Sequence, residues 1–180
     1  MKIYKLEIDE FAALVGFLNA KSVVGLDEAL FTSFTEENLP RIRAKLEAHG
    51  WLRPADRPST YHFNEDLMQN LAVVIAPEFA VLVLSKPKGA SILFYLAAKE
   101  IVEIIVTSEA VFVAKIVDID ELSAQAILFL KDSYPAEIGL ARVKGEGFDA
   151  GKRMKAASAV EAGEVAAFLR KTMAELGAKA

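Results

Sequence analysis

The chain contains no cysteine and only two histidines in 180 residues. Without thiols there is no disulfide framework, no thiolate nucleophile and no thiolate zinc site, which fits a reducing compartment. A zinc site would have to combine His49, His62 and carboxylates. No H-x-x-x-H or carboxylate pair stands at ligand spacing, so no metal is expected. No apolar run reaches membrane-spanning length, since Pro77-Glu78 interrupts the longest and charges punctuate the others, so no membrane association is expected. MKIYKLEIDE has neither an apolar h-region nor a cleavage pattern, which argues against export by a signal peptide and for a cytoplasmic protein. A basic excess is also missing. With 21 Lys and Arg against 25 Asp and Glu, the net charge of −4 gives no general attraction to nucleic acid or anionic lipid.

Apolar residues, in contrast, make up 53% of the chain. They concentrate between Phe79 and Val117 in four runs, FAVLVLS, SILFYLA, IVEIIVT and VFVAKIV. Their length and their β-branched and aromatic content are those of strands. Lys86-Pro87-Lys88-Gly89 combines a Pro preset for a turn with a Gly free to adopt positive φ. The breaks at Ala98-Lys99-Glu100 and Ser108-Glu109-Ala110 have hairpin length. The pattern predicts an antiparallel four-stranded meander. With turns centred on Lys99 and Glu109, Tyr95 opposes Glu103 and Glu103 opposes Lys115. One face then carries Ile92, Phe94, Val102, Ile104, Phe112 and Ile116. The other carries Leu93, Tyr95, Ile101, Glu103, Ile105, Val113 and Lys115, and is almost as apolar. A solvated sheet face reads polar at alternate positions. Burying six such side chains is worth on the order of 10 kcal/mol before ordering costs. The second face is therefore expected either to meet a partner or to lie under further helices of the same chain.

Before the meander, Ile3 to Ile8 reads as a strand leading into a helix capped by Asp9, with Phe11, Leu14, Val15 and Leu18 on one stripe. Asp27 caps a shorter helix through Phe31, and a capping box stands at Ser33 to Glu36. Pro40 places the start of the third helix near Asn38, with Leu39, Ile42 and Leu46 buried and Gly50 as its stop. Two short strands follow, around Trp51-Leu52-Arg53 and Thr60 to Phe63. Three helices and a hairpin are the order of a winged helix, and that suggests DNA binding through Arg41, Lys45 and His49 with Arg57 on the wing. Between Glu37 and Phe63, however, five basic residues face three acidic ones. That excess is small for a protein whose affinity rests on phosphate neutralisation. A structural helical subdomain with a solvated face is the competing reading.

A helix from Asn64 or Glu65, with Leu67, Met68, Leu71 and Val74 or Ile75 apolar, ends before Pro77. After the meander, Asp118 to Glu121 caps a helix through Leu130, Glu137 to Val143 reads as an edge strand, and Lys144 to Lys155 as a Gly- and Lys-rich loop. A capping box at Ser158 to Glu161 opens the last helix, with Val165, Phe168, Leu169, Thr172, Met173 and Leu176 on one stripe. Chemistry is not evident. Gly145-Glu146-Gly147 with Gly151-Lys152 lacks the spacing and the Ser/Thr of a phosphate loop, and no G-x-S-x-G elbow exists. Glu103 and Lys115 read as a cross-strand ion pair rather than an acid–base couple. No catalytic residue and no cofactor are expected.

The opening IYKLEIDEFAALVGFL and the succession VVIAPEFAVLVLS, SILFYLA, IVEIIVT, VFVAKIV, DIDELSAQAILFL resemble the type VII (ESX) secretion-associated EspG-like proteins. The resemblance implies a cytosolic chaperone that holds secreted partner proteins, built from two halves related by a pseudo-two-fold. The chain carries one such unit, so the resemblance further implies a homodimer. Taken together, the sequence predicts an α+β protein. Residues 1–76 form a helical, winged-helix-like part, and residues 77–180 form a four- to five-stranded antiparallel sheet with two C-terminal helices, the two parts being separate or one compact domain. The expected function is a non-enzymatic protein-interaction or chaperone-like role. It is homodimeric through Leu93, Tyr95, Ile101, Glu103, Ile105, Val113 and Lys115, with another protein as a further partner. The alternative is a DNA-binding regulator that reads nucleic acid through Arg41, Lys45, His49 and Arg57.

Overall fold

A computed structural model describes residues 2–32, 34–35, 37–56, 60–131 and 133–177. The chain runs β1 (Ile3–Glu7), α1 (Ile8–Phe17), a 3₁₀ turn (Glu28–Phe31), α2 (Leu39–Ala48), β2 (Leu52–Pro54), β3 (Tyr61–Phe63) and α3 (Glu65–Ile75). It continues through β4 (Phe79–Ser85), β5 (Ala90–Ala97), β6 (Glu100–Val106), β7 (Ala110–Ile116), α4 (Ile119–Leu130), β8 (Ala136–Lys144), β9 (Gly147–Ala156) and α5 (Ala162–Glu175). The fold is α+β, and its sheet is larger than the sequence suggested. Seven strands lie in the order β1-β7-β6-β5-β4-β8-β9, every pair antiparallel. The meander is its centre. β2 and β3 form a separate hairpin.

Local chemistry accounts for most boundaries. The Asp27 carboxylate accepts from the Ala29 amide and caps the 3₁₀ turn, which replaces the short helix expected there. Pro40 lies in the first turn of α2, where its missing N–H is harmless. Asp118 accepts from the Glu121 amide, while Glu121 accepts from the Val117 amide just outside the helix. Elsewhere the caps differ from expectation. α1 begins at Ile8, where Glu7 and Glu10 form a reciprocal capping box. α5 begins at Ala162 behind Glu161, without a side-chain cap, so the box at Ser158 is not used. The capping box at Ser33 and Glu36 lies outside the described residues.

Two corrections concern the C-terminal strands. β8 is not an edge, because it pairs with β4 on one side, Val81 opposite Leu140, and with β9 on the other. The segment read as a loop is mostly β9, joined to β8 by a tight turn at Gly145 (φ +62°) and Glu146. Nothing in GFDAGKRMKA alternates between apolar and polar, because the strand is paired on one side only and most of it faces solvent.

A third correction is of register. Both central hairpins turn on two residues rather than one. Ala97 opposes Glu100 across Ala98-Lys99, with Ala98 at φ +52°. Thr107 opposes Ala110 across Ser108-Glu109, the Thr107 amide donating to the Ala110 carbonyl at 2.9 Å. Each hairpin is therefore offset by one residue from expectation. Tyr95 opposes Val102, Phe94 opposes Glu103, and Lys115 opposes Val102. A one-residue slip turns a strand over. Two successive slips turn over β6 alone and leave β5 and β7 facing as expected.

Both faces of the central strands are covered by this chain. Tyr4, Leu6, Leu93, Tyr95, Val102, Ile104, Val111 and Val113 pack with Phe11, Leu14 and Val15 of α1 and Leu67, Leu71 and Val74 of α3. Phe79, Val81, Phe94, Ile101, Ile116, Ile138 and Leu140 pack with Leu122, Ala126 and Leu130 of α4 and Val165 and Leu169 of α5. The N-terminal helices thus share a core with the sheet, and β1 is itself one of its strands. Three layers result, helix–sheet–helix. Among the described residues no helix is long and apolar enough to cross a membrane.

Candidate protein-docking surface

The residues expected to form a partner interface do not share a surface. Tyr95 is fully buried beneath the segment before the 3₁₀ turn, its hydroxyl donating to the Val24 carbonyl at 2.7 Å. Val113 is fully buried under the N-terminal helices. Ile101, Glu103 and Ile105 belong to β6, and the register slip moves them to the opposite face, against α4 and α5. Lys115 stays beside Val102 and pairs with Glu100 at 2.5 Å instead of Glu103. The apolar character that suggested a second copy is thus satisfied within one chain, and a dimer through that face is corrected on this ground. Leu93 is the partial exception. It is 6% exposed but lines a groove described below.

Glu103 is 6% exposed, between Phe94 and Ala114. Burial, and then the nearby Glu121 carboxylate, hold its carboxyl above the usual range. Because the folded state keeps this proton longer than the unfolded chain does, stability falls as pH rises from the ordinary carboxylate range through the folded value. Glu103→Gln is expected to raise stability at pH 7 by about 1 kcal/mol. The gain should vanish near pH 4 and below, where both forms of the wild-type chain are protonated. Urea titrations at the two pH values check this.

The basic face of α2 is paired within the chain. Arg41 bonds Asp9 at 3.1 Å, and Lys45 reaches Glu7 at 2.5 Å and Asp9 at 3.1 Å. His49 Nδ1 donates to Glu10 Oε1 at 2.7 Å, and Glu10 is fully buried. Glu7, ahead of Asp9, holds the Lys45 ammonium above its usual range. Lys45 and His49 at the C-terminal end of α2, joined by Arg41 from its first turn, thus meet the acids at the N-terminus of α1, and the helix dipoles favour the acids and the two C-terminal groups. These three residues of the expected DNA-contact set tie one helix to another, while Arg41 and His49 keep 60% and 46% of their side-chain surface exposed. Arg57 lies outside the described residues.

A different surface is open. Six inter-strand spacings make the sheet about 29 Å wide, whereas two packed helices cover about 20 Å. α1 and α3 sit over β1, β7, β6 and β5, and the β4-β8-β9 end of their face is left without a helix. Here a groove of about 340 Å³ has a floor of Ala80, Gly139, Ala141 and Gly151 and walls that include Leu82, Leu93 and Phe148. Leu82 is 41% exposed and Phe148 54%. Gly151 is required by close packing, since a Cβ there would lie 2.9 Å from both Ala141 Cβ and the Leu140 carbonyl oxygen. Gly25, at φ +85°, brings its loop against Leu93 and Phe148 and closes one side. Sequence reasoning missed this site because Leu82, Gly25 and Phe148 meet only in the folded chain. The isolated aromatic in the Gly- and Lys-rich stretch was its one visible sign.

Among the described residues no group of three or more His, Asp and Glu could hold a metal ion. Small residues form the floor of the groove, apolar ones its walls, and Asp149, Lys152 and Arg153 its charged rim.

Neither a protein-family model nor a curated protein matches this sequence. Among solved structures, the chain is similar to the structure of the Mycobacterium tuberculosis type VII secretion system chaperone EspG5 in complex with PE25-PPE41 dimer. The TM-score is 0.61 at 11% sequence identity, over 96% of this chain and 96% of that chain. The likeness is one of fold. It spans nearly the whole of both chains rather than one half of the neighbour.

Proposed function

We propose that this protein is a non-enzymatic, chaperone-like module that binds another protein, acts in the cytoplasm and serves a secreted client. The observation that carries the reading is the bare β4-β8-β9 end of the sheet, where Leu82 and Phe148 stand exposed beside an apolar groove. Exposed apolar side chains lining a concavity mark a surface that gains by meeting a partner. The fold supports the same reading, since the neighbouring structure is that of a secretion chaperone with a bound protein dimer. A self-pairing homodimer is the less favoured version of the proposal, because the face that suggested it is occupied by α1 and α3.

The test is co-expression of the chain with proteins encoded beside its gene, followed by size-exclusion chromatography. The expected result is a stoichiometric complex with a client that precipitates when made alone. Clients that are all equally soluble without this chain would overturn the proposal.

A further inference from the structure

The docking reading leaves open what kind of segment the groove receives, and the following inference rests on that reading. β9 is the last strand of the sheet, ten residues long, and its outer edge pairs with no described residue. Such an edge presents a row of free amides and carbonyls. Its charges are not random. Lys86, Lys155 and Arg153 converge on one carboxylate, that of Glu137, with Lys86 at 3.0 Å and Arg153 at 3.8 Å. The three cations, Lys86 foremost, hold the Glu137 carboxyl below its usual range. A local excess of two positive charges therefore stands at one corner of a chain whose net charge is −4. Lys155 opposes Glu137, and Arg153 opposes Gly139, which places both cations on the face that carries the groove.

A second copy fits poorly on this edge. Two β9 strands side by side would join two edges that each carry Lys152, Arg153 and Lys155 against Asp149 alone, and net like charge across a strand pair is unfavourable. An acidic strand reverses that sign. Gly151 lies between Phe148 and Arg153 without a side chain, so a residue on an added strand has an open path over it towards Ala141 and the groove. We infer that β9 takes up an extended acidic segment of a partner protein as an eighth strand. Acidic side chains of that segment oppose Arg153 and Lys155, and an apolar side chain enters the groove over Gly151. Backbone pairing supplies the hold, and alternate side chains supply the selectivity.

The experiment uses the full chain and a fluorescein-labelled nine-residue peptide, Glu-Thr-Glu-Thr-Val-Thr-Glu-Thr-Glu, which puts Val and its flanking Glu side chains on one face of a strand running in either direction, with a Lys-for-Glu counterpart. Fluorescence anisotropy at low salt should show binding of the Glu peptide at least tenfold tighter than that of the Lys peptide. Amide exchange should slow along Gly147–Ala156. The double variant Arg153→Glu/Lys155→Glu, at exposed positions and checked for folding by circular dichroism, should lose at least tenfold of the Glu-peptide affinity. Equal binding of the two peptides, unchanged affinity in the variant, or protection away from β9 would each overturn the inference. So would a concentration-dependent dimer that the double variant abolishes, since a second copy would then own the edge. A client complex that forms equally well with the double variant would sink this inference while leaving the chaperone-like function standing. Peptide binding without any client would do the reverse.

Discussion

Tyr95→Ala is expected to lower stability by about 3–5 kcal/mol, the usual result of emptying an aromatic-sized site in a packed core. Sedimentation behaviour should stay unchanged. The ring is fully buried between β4 and β6, opposite Ala80 on one side and Val102 on the other. Its hydroxyl is bound to the Val24 carbonyl, so truncation also leaves that acceptor without its partner. Tyr95→Phe separates the two contributions and should account for about 1 kcal/mol. Chemical denaturation reads the stability, and analytical ultracentrifugation of the same samples reads the association state. A dimer lost with stability intact would show that the ring belongs to an interface after all.

His49→Ala should be the next largest effect, about 2–3 kcal/mol of destabilisation. It leaves the buried Glu10 carboxylate with one oxygen unpaired. The other oxygen still accepts from the Glu7 amide, and His49 is itself half exposed, so the loss stays below that of a fully enclosed ion pair. His49→Gln keeps a donor near the same place and should recover part of the difference. Thermal melts of the three proteins at one pH measure it. The expectation follows from a tertiary role for α2, whose basic residues secure it to the start of α1.

What the sequence made legible is what short-range physics controls. The four strands of the meander stand out because buried strands in the middle of a sheet are apolar along their length. The α1 stripe of Phe11, Leu14 and Val15, the Asp27 cap and the position of Pro40 were all readable, since each depends on residues within a turn or two. Register was not. Ala98 takes a left-handed conformation that glycine or asparagine would have advertised, so the odd three-residue turn looked as plausible as the two-residue one. From that ambiguity Glu103 was assigned to the wrong face, and from the same one at Ser108-Glu109-Ala110 a pairing with Lys115 was drawn that the fold does not make. β9 was unreadable for a different reason. A strand held by main-chain bonds on one side, with solvent around most of its side chains, needs no apolar pattern. The docking groove was the least legible feature, because its walls come from residues 25, 82, 93 and 148, whose proximity is a product of the whole sheet.

The pairing of the first strand with β7 bears on how the protein is made. Ile3 lies opposite Ala114, so the opening segment leaves the ribosome more than a hundred residues ahead of its hydrogen-bonding partner. At about 5–20 residues per second that interval is about ten seconds. Throughout it Tyr4 and Leu6 have no sheet to join, and α1 has only the lower-order contacts of its own neighbourhood. The nascent chain therefore spends its synthesis with one flank unfinished.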